Sequence, residues 1–357
     1  MIVNHNLYLQ LAFKLAEVNL GKTKLNPSVG SVLVKNNSVI STGTTSENGR
    51  PHSEFNALNK KKENFSGTSM YVTLEPCTHY GLTPPCVNII KRKNIKKIYY
   101  PFDDPDYRTF KKAKSFFKAN NIEAIKINPK KFKNFYDSYF FNKKNNIPYV
   151  SAKIAISKDF FTINKKTKWI TNTHSRKIAH LIRSRFDCIV STSKSINKDN
   201  SILNCRINGL NNNKPDLIII DLNLKLKKNL LLQKLNQKRK TYIITTKENK
   251  NRTHTYKKQG YKIIFIESLI DKNDFYFLFK KIYKLGYGRI LFETGLIFLN
   301  ELIKNKLLNN LYVFQNEYKL GKNGLNNAST YHLKRLNFNN LIKVNLNDNK
   351  LYEIKLK

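Results

Sequence analysis

One histidine and two cysteines constrain this chain more than any other feature of its sequence. His52 is followed two residues later by Glu54, and Cys77 and Cys86 each come directly after a proline. One imidazole and two thiolates are good zinc ligands, and three protein ligands leave the fourth tetrahedral position open, as in catalytic zinc sites. The sequence therefore predicts a catalytic Zn²⁺ site with His52, Cys77 and Cys86 as its ligands.

Glu54 lies close to this predicted site but is not needed as a ligand. A carboxylate there can take a proton from a water molecule activated by the metal and return it to a leaving amine, so we expect Glu54 to be catalytic. A closed structural zinc site would need a fourth ligand, for which His79 is the nearby candidate, and it would give Glu54 no role. The pattern H-x-E…P-C-x-x-C is typical of zinc nucleobase deaminases, although eight residues separate Cys77 from Cys86 here instead of two.

Length and composition favour two globular domains. The chain has 357 residues, of which 40% are hydrophobic, and no uncharged apolar run approaches the roughly 18 residues of a membrane span. Leu7, Leu11, Leu15 and Val18 fall on one face of an expected N-terminal helix, which favours a packed helix over a signal peptide. Four cysteines without a disulfide pattern suit a reducing compartment. We therefore expect a cytoplasmic protein with no membrane partner.

The net charge of +41 raises the alternative of a nucleic-acid partner, because dense positive charge attracts phosphate. The excess is mostly lysine, interleaved with asparagine and isoleucine along the whole chain rather than gathered in one patch. Lysine, asparagine and isoleucine share AT-rich codons, so we interpret the charge as a drifted, solvated surface. No nucleic-acid partner is expected.

The first half of the chain alternates apolar, β-branched segments with helical ones, a pattern typical of an α/β layered domain. If this pattern holds, His52 and both cysteines lie at or just before helix N-termini, where the partial positive charge favours thiolate. The expected strands are 29–34, 39–40, 69–74 and 95–100, and the expected helices after the N-terminal one are 52–58 and 86–92.

A polar, charged stretch from Asn142 to Pro148 is the expected boundary between two domains, residues 1–146 and 147–357. Strand candidates follow it at intervals, with helical segments between several of them. This spacing predicts a second α/β domain built on a largely parallel sheet. The candidates are 149–156, 188–190, 217–220, 241–245, 263–266, 289–292 and 311–314.

Longer motifs carry a family resemblance. In the first half they are Asn26-Pro-Ser-Val-Gly30, Pro51-His-Ser-Glu54, Tyr71-Val-Thr-Leu-Glu-Pro-Cys-Thr-His-Tyr-Gly-Leu-Thr-Pro-Pro-Cys86 and Asp104-Pro-Asp106. In the second half they are Lys153-Ile-Ala-Ile-Ser157, Trp169-Ile-Thr171 and Phe292-Glu-Thr-Gly295. In order and spacing these motifs resemble the bifunctional deaminase–reductase family of riboflavin biosynthesis.

The resemblance implies a cytidine-deaminase-like α/β/α layered domain followed by a dihydrofolate-reductase-like α/β domain. The first would be a zinc-dependent deaminase of 2,5-diamino-6-(5-phosphoribosylamino)pyrimidin-4(3H)-one. The second would use NADPH to reduce the ribosyl group of 5-amino-6-(5-phosphoribosylamino)uracil to ribityl. The implied partner is therefore a small pyrimidine ribotide, and the resemblance also implies a homo-oligomer.

The resemblance also implies individual site residues. Arg183 and Arg206 are the expected phosphate clamps, because guanidinium forks match phosphate oxygens, and Lys153 and Glu293 are the expected polar groups of the reducing site. The positions implied near substrate are Asn26, Lys153, Thr167, Arg183, Leu203, Arg206 and Glu293. The positions implied near NADPH are Ala155, Trp169, Ser195, Asp199 and Gly295.

Several positions depart from the family pattern. Leu82 stands where the cysteine loop usually has a basic residue, Phe160 stands where the family has glycine, and the stretch after Asp106 lacks the family's glycines. These departures leave open the alternative that the deaminase is active and the second domain is a degenerate dimerisation module. The basic net charge leaves open another alternative, a tRNA-type nucleic-acid deaminase.

Overall fold

The computed structural model describes residues 4–59, 65–129, 131–210, 215–236 and 238–356. The chain divides into two compact units, Met1–Asn146 and Ile147–Lys357, each of which is described by itself. Among the described residues, no helix combines the length and the apolar character needed to cross a membrane.

The first unit is a five-stranded sheet with helices packed on it. Strand order is β2-β1-β3-β4-β5; β1 pairs antiparallel with β2 and β3, and β3, β4 and β5 run parallel. The elements are α1 (His5–Val18), β1 (Gly30–Lys35), β2 (Ser38–Thr44), α2 (Ser53–Leu58), β3 (Ser69–Val72), α3 (Cys86–Arg92), β4 (Lys97–Tyr100), α4 (Lys112–Ala119), β5 (Glu123–Lys126) and α5 (Asp137–Asn145).

A tight turn joins the first two strands, which the sequence predicted at 29–34 and 39–40. Asn36 and Asn37 both have positive φ angles, 48° and 60°, the conformation of a two-residue hairpin turn that asparagine tolerates. The register passes from Val34 opposite Val39 to Lys35 opposite Ser38, so the hairpin closes on this pair.

The N-terminal helix is present, but the prediction of its buried face was wrong. Leu7, Leu11 and Val18 are exposed, and the buried residues of α1 are Leu9, Ala12, Phe13 and Ala16. The reason is the close approach of α1 to β1: a Cβ atom added at Gly30 would lie 1.9 Å from the carbonyl oxygen of Ala12. Only small side chains fit where α1 crosses Gly30, and Ala12 and Ala16 occupy these positions. A pattern of large apolar residues therefore does not reveal this part of the buried face.

The second unit contains an eight-stranded sheet and a two-stranded one. The order in the large sheet is β11-β10-β9-β8-β12-β6-β13-β15, all parallel except for the antiparallel edge pair β13 and β15. The largely parallel sheet was predicted correctly. Its strands are β6 (Tyr149–Ile156), β8 (Cys188–Thr192), β9 (Asp216–Ile220), β10 (Thr241–Thr246), β11 (Lys262–Ile266), β12 (Arg289–Phe292), β13 (Asn310–Asn316) and β15 (Asn349–Lys355).

The remaining elements of the second unit complete the layers. Strands β7 (Phe161–Asn164) and β14 (Gly324–Asn327) form the small antiparallel sheet. The helices are α6 (Thr173–Arg183), α7 (Ser193–Asp199), α8 (His254–Lys258), α9 (Lys272–Lys284) and α10 (Leu296–Lys304).

The polar stretch in which the sequence places the domain boundary is partly helical. Helix α5 continues through Asn145 and ends where Asn146 takes a left-handed conformation, with φ of 55° and its N–H bonded to the carbonyl of Asn142. Polarity along this stretch therefore reflects the exposed last turn of a helix as well as a connection.

Candidate active sites

His52, Cys77 and Cys86 converge at one point of the first unit. His52 is the N-cap of α2 and Cys86 is the first residue of α3. Cys77 follows β3 in a loop, so its expected place at a helix N-terminus was wrong. Its sulfur nevertheless accepts a hydrogen bond from the backbone N–H of Cys86, at 3.2 Å, and thereby reaches the start of α3.

The spacing of these three side chains fits a zinc ion. Their ligand atoms all lie within 4.8 Å of one another, and His52 Nδ1 is 3.6 Å from Cys77 Sγ and 3.4 Å from Cys86 Sγ. Tetrahedral zinc, with its usual bond lengths to nitrogen and sulfur, separates two such ligands by roughly 3.5 Å. Hydrogen bonding by the Cys86 thiol lowers the pKa of Cys77 to about 4, so one thiolate is already favoured.

Glu54 lies beside the ligands in a buried position, with 4% of its surface exposed. Its Oε2 accepts a hydrogen bond from the Ser53 hydroxyl at 2.9 Å, and Ser53 in turn contacts the Ser31 hydroxyl at 2.8 Å. Burial raises the pKa of Glu54 above its ordinary value, although the charge of His52 opposes the shift. This carboxylate is therefore fixed in place and suited to holding a proton during a reaction.

The loop between the two cysteines is held by a second loop from residues 104–113. The imidazole of His79 contacts the Thr109 hydroxyl at 2.9 Å, and the Thr78 hydroxyl donates to the carbonyl of Arg108 at 3.1 Å. Glu75, just before Cys77, accepts hydrogen bonds from three backbone N–H groups, those of Asp104, Lys111 and Ala113. The cysteine loop is thus positioned by its neighbours.

Asn26 lies against the segment that leads to His52. Its amide nitrogen is 3.5 Å from the carbonyl oxygen of Gly49, and a Cβ atom at Gly49 would lie 2.3 Å from that nitrogen. Gly49 also has φ of 87°, which glycine adopts without strain. The structure therefore places Asn26 next to the loop that delivers His52.

In the second unit, Lys153, Arg183 and Glu293 form one largely buried cluster. The fork of Arg183 binds both carboxylate oxygens of Glu293, and Lys153 Nζ lies 3.0 Å from Glu293 Oε2. Burial alone would raise the pKa of Glu293, but the charges of Arg183 and Lys153 outweigh it and lower that pKa well below its usual range. Glu293 is therefore held as a carboxylate between two cations.

This pairing changes what Arg183 can do. Its remaining Nη1 donates to the carbonyl of Asn204 at 3.1 Å, so most of its N–H groups are engaged within the protein. Arg206 is the more exposed guanidinium, and it binds the Asn204 side chain at 2.9 Å. Leu203, also expected near substrate, is buried with φ of 51°. Of the two expected phosphate clamps, Arg206 is thus the one whose guanidinium is more exposed.

The positions expected near the cofactor fall into two groups. Ser195 and Gly295 are in contact, since the Gly295 N–H donates to the Ser195 hydroxyl at 3.0 Å, and Gly295 caps α10. The neighbouring Thr294 has a buried hydroxyl with no hydrogen-bond partner in the described part of the chain. A helix N-terminus and an unused hydroxyl at the carboxyl end of a parallel strand suit a phosphorylated cofactor.

The other predicted positions make contacts of their own. Ala155 on β6 pairs with Phe314 on β13, and Asp199 is the exposed last residue of α7. Thr167 donates to the Trp169 carbonyl at 3.0 Å. Trp169 is 51% exposed, with the Arg176 guanidinium 4.6 Å from its ring centroid, which excludes a core role. Among the residues that the structure describes, no hydrogen bond or ring contact joins Thr167 or Trp169 to Glu293.

Two arginines at these sites were missed by the sequence analysis. Arg50 contacts the cysteine loop, with Nη1 2.7 Å from the Thr83 hydroxyl. Arg239 is buried and donates to the carbonyls of Ile202 and Leu203. The place of Arg50 directly before the Pro51-His52 motif could have drawn attention to it, whereas Arg239 lies in no motif.

Comparisons with known proteins agree with this division into two functional parts. Residues 148–353 match the sequence model described as "RibD C-terminal domain", and residues 3–101 match "Cytidine and deoxycytidylate deaminase zinc-binding region". The fold and the two sites therefore define a two-domain enzyme, a zinc-binding deaminase domain followed by a reductase domain. Because the first of these matches covers more than half of the chain, the chain belongs to the RibD family of riboflavin biosynthesis enzymes.

Individual relatives and solved structures are similar over most of the chain. The riboflavin biosynthesis protein RibD of Aquifex aeolicus is 29% identical over 310 residues, which cover 86% of this chain and 85% of that protein. RibD of Buchnera aphidicola is 29% identical over 336 residues, with the same coverage. The structure of Acinetobacter baumannii RibD has a TM-score of 0.82 at 23% identity, and a Thermotoga maritima deaminase/reductase has 0.81 at 24%; each comparison covers 98% of both chains.

Proposed function

We propose that this enzyme catalyses two successive steps of riboflavin biosynthesis on a pyrimidine ribotide. The first is hydrolytic deamination of 2,5-diamino-6-(5-phosphoribosylamino)pyrimidin-4(3H)-one at the site of His52, Cys77 and Cys86. The second is reduction of 5-amino-6-(5-phosphoribosylamino)uracil by NADPH in the second unit. One observation carries the proposal: three zinc-type ligand atoms lie at tetrahedral spacing beside the buried carboxylate of Glu54.

In the deamination, Glu54, Ser53 and Asn26 would each have a separate role. Zn²⁺, when bound, would supply Lewis-acid activation of water. Glu54 would take up a proton and deliver it first to the pyrimidine ring nitrogen and then to the departing amine, and burial favours the protonated form that this transfer needs. Ser53 keeps the carboxylate in place through its hydrogen bond to Oε2. Asn26 would fix the substrate through its side-chain amide.

For the reduction, catalysis would consist mainly of positioning, because the hydride belongs to the cofactor. Lys153 keeps N–H groups free after its contact with Glu293 and would donate to the ribosyl oxygen. Arg206 would bind the substrate phosphate with its exposed guanidinium. Ser195 and Gly295, together with the unused hydroxyl of Thr294, would contact NADPH.

A coupled assay tests both steps in one protein. The ribotide is supplied with NADPH, and ammonia release and NADPH oxidation are followed together. We expect both, with NADPH oxidation dependent on the first product. Ammonia release without NADPH oxidation would instead support a second unit that serves only in dimerisation, and release of ammonia from tRNA would support a nucleic-acid deaminase.

Glu54→Gln separates chemistry from metal binding. Because Glu54 is not one of the three ligands, this variant should keep about one zinc per chain and lose ammonia release. Glu123→Gln on the exposed strand β5 is the matched control and should keep both properties. Full deaminase activity in Glu54→Gln would contradict the proposed mechanism.

We further propose that the enzyme acts in the cytoplasm as a homo-oligomer. All four cysteines are free thiols in the structure, which suits a reducing compartment. Light scattering of the purified protein at micromolar concentration tests the oligomer, because a monomeric mass would contradict it.

A further inference from the structure

Arg50 lies across the gap between two segments that carry zinc ligands. It stands two residues before His52, and its guanidinium reaches the cysteine loop, with Nη1 2.7 Å from the Thr83 hydroxyl. Its Nη2 is 3.3 Å from the position that a Cβ atom of Gly81 would take. The guanidinium therefore lies beside Gly81 and Thr83, the loop residues on either side of Leu82.

The surroundings of Arg50 do not neutralise its charge. Within the described part of the chain, Arg50 forms no ion pair with an acidic side chain. Arg108 and Lys143, two other cations of this unit, are both paired with Asp106. Arg50 is thus a half-buried cation beside the metal ligands whose charge is available to a ligand from outside the protein.

The contact between Arg50 and His52 indicates what kind of ligand this is. Nδ1 of His52 faces the two cysteine sulfurs, so a metal would bind there and the ring proton would be on Nε2. Arg50 Nη1 lies 3.5 Å from Nε2. With the proton on Nε2, neither nitrogen can accept from the other, and an anionic oxygen lying beside the pair could accept a hydrogen bond from each.

The cysteine loop offers no positive charge of its own at its outer end. Leu82, which stands where the resembling family usually has a basic residue, is 89% exposed and contributes no charge. An anionic substrate held at this site would need another cation, and Arg50 donates to Thr83 on one side of Leu82 and lies beside Gly81 on the other.

We propose that Arg50 binds the phosphate group of the ribotide at the deaminase site and supplies the charge that the loop lacks at Leu82. This inference rests on the proposed function, since it takes a phosphorylated pyrimidine as the substrate. Guanidinium is the side chain best matched to phosphate, through parallel charge-assisted hydrogen bonds. Arg50 is then a specificity-determining residue that distinguishes a ribotide from the unphosphorylated ribonucleoside.

The test compares ammonia release from the ribotide and from its dephosphorylated ribonucleoside. In Arg50→Gln the ratio of the two kcat/KM values should fall about 10- to 100-fold, mainly through KM for the ribotide, because hydrogen bonds to charged groups are lost. Adding Leu82→Arg to this variant should restore much of the ratio. Arg92→Gln, which removes an exposed charge at the end of α3, should leave the ratio unchanged. Zinc content is measured in every variant.

The outcomes separate the two proposals. A fall in the ratio with zinc retained supports the role of Arg50. Equal losses for both substrates, loss of zinc, or an unchanged ratio in Arg50→Gln would overturn that role while leaving the deaminase assignment intact. Ammonia from neither substrate with the unaltered protein would overturn the proposed function and this inference with it.

Discussion

Arg183 holds the carboxylate of Glu293 by two hydrogen bonds, from Nε to Oε1 at 2.5 Å and from Nη2 to Oε2 at 2.9 Å. The two residues are 110 positions apart, one at the end of α6 and the other just after β12. Lys153 from the neighbouring strand β6 adds a second cation to the same carboxylate. The cluster ties α6 and β6 to the carboxyl end of β12.

Glu293→Gln should destabilise the second unit by about 3 kcal/mol, because removing the carboxylate leaves two largely buried cations uncompensated. NADPH oxidation should fall as well, since Lys153 loses its anchor. Urea unfolding followed by the fluorescence of Trp169, the single tryptophan, reports on this unit. Glu317→Gln is the control: it breaks an exposed pair with Lys350, whose loss should change stability little because solvent screens both charges. Equal effects of the two substitutions would contradict a special role for the buried pair.

The same cluster predicts a dependence of stability on pH. The pKa of Glu293 is lowered in the folded protein, so its contribution is fully present above the ordinary glutamate pKa and is lost as pH falls toward the folded value. The urea midpoint of the second unit should therefore fall from about pH 6 to about pH 3. In Glu293→Gln this fall should be smaller; an unchanged slope would show that other carboxylates, such as Asp159, cause it.

Phe160 predicts a difference between two small substitutions. It occupies the turn between β6 and β7 with φ of 67°, and its ring packs edge-on against Phe338 at 6.3 Å. Alanine and glycine both remove this ring contact, but only alanine keeps the left-handed strain, which costs about 1–2 kcal/mol. Phe160→Gly should therefore be more stable than Phe160→Ala by about 1 kcal/mol in urea unfolding. If Phe160→Ala were the more stable of the two, the turn would tolerate a side chain without strain.

The sequence predicted best the elements whose residues are mostly buried. Strands β6 and β12 match their expected bounds at both ends, because a mostly buried strand selects a mostly apolar sequence. Strands β5 and β14 were missed, since their residues are half-buried or exposed and carry no such pattern. Their positions depend on pairing with β4 and β7, which a local pattern does not record.

At the first site, spacing along the chain was sufficient to predict the metal ligands, because they lie in short motifs. His52, Cys77 and Cys86 could be selected in this way because metal chemistry restricts the residue types. The pairing of Arg183 with Glu293 could not, because it depends on how distant elements meet in three dimensions. The family glycine replaced by Phe160 was noted from the sequence, but only the φ angle explains why glycine suits that position.

Metal removal should destabilise the first unit. Binding to the folded state alone adds free energy that a chelator takes away, and the three ligands come from separate segments around α2 and α3. We expect a chelator to lower the thermal midpoint of the unaltered protein and to have no effect on Cys77→Ser, which lacks a ligand. Cys205→Ser, a buried cysteine outside the site, should respond to the chelator as the unaltered protein does. An equal response from Cys77→Ser would argue against zinc at this site.

Arg239 should control the loop that carries Leu203 and Arg206. Its buried guanidinium donates to the carbonyls of Ile202 at 2.5 Å, Leu203 at 2.7 Å and Pro215 at 3.3 Å, and burial lowers its pKa to about 10, so it remains charged at neutral pH. Arg239→Met leaves these acceptors without their donor, at about 1–3 kcal/mol for each buried group left unpaired.

We expect Arg239→Met to raise KM for the uracil ribotide more than it lowers kcat, because the loop residues bind substrate while the hydride comes from the cofactor. Arg239→Lys keeps the charge and should recover part of the affinity. Steady-state NADPH oxidation measures both constants, and Trp169 fluorescence confirms that the variants remain folded. A loss confined to kcat would mean that Arg239 supports the Glu293 cluster and not the substrate loop.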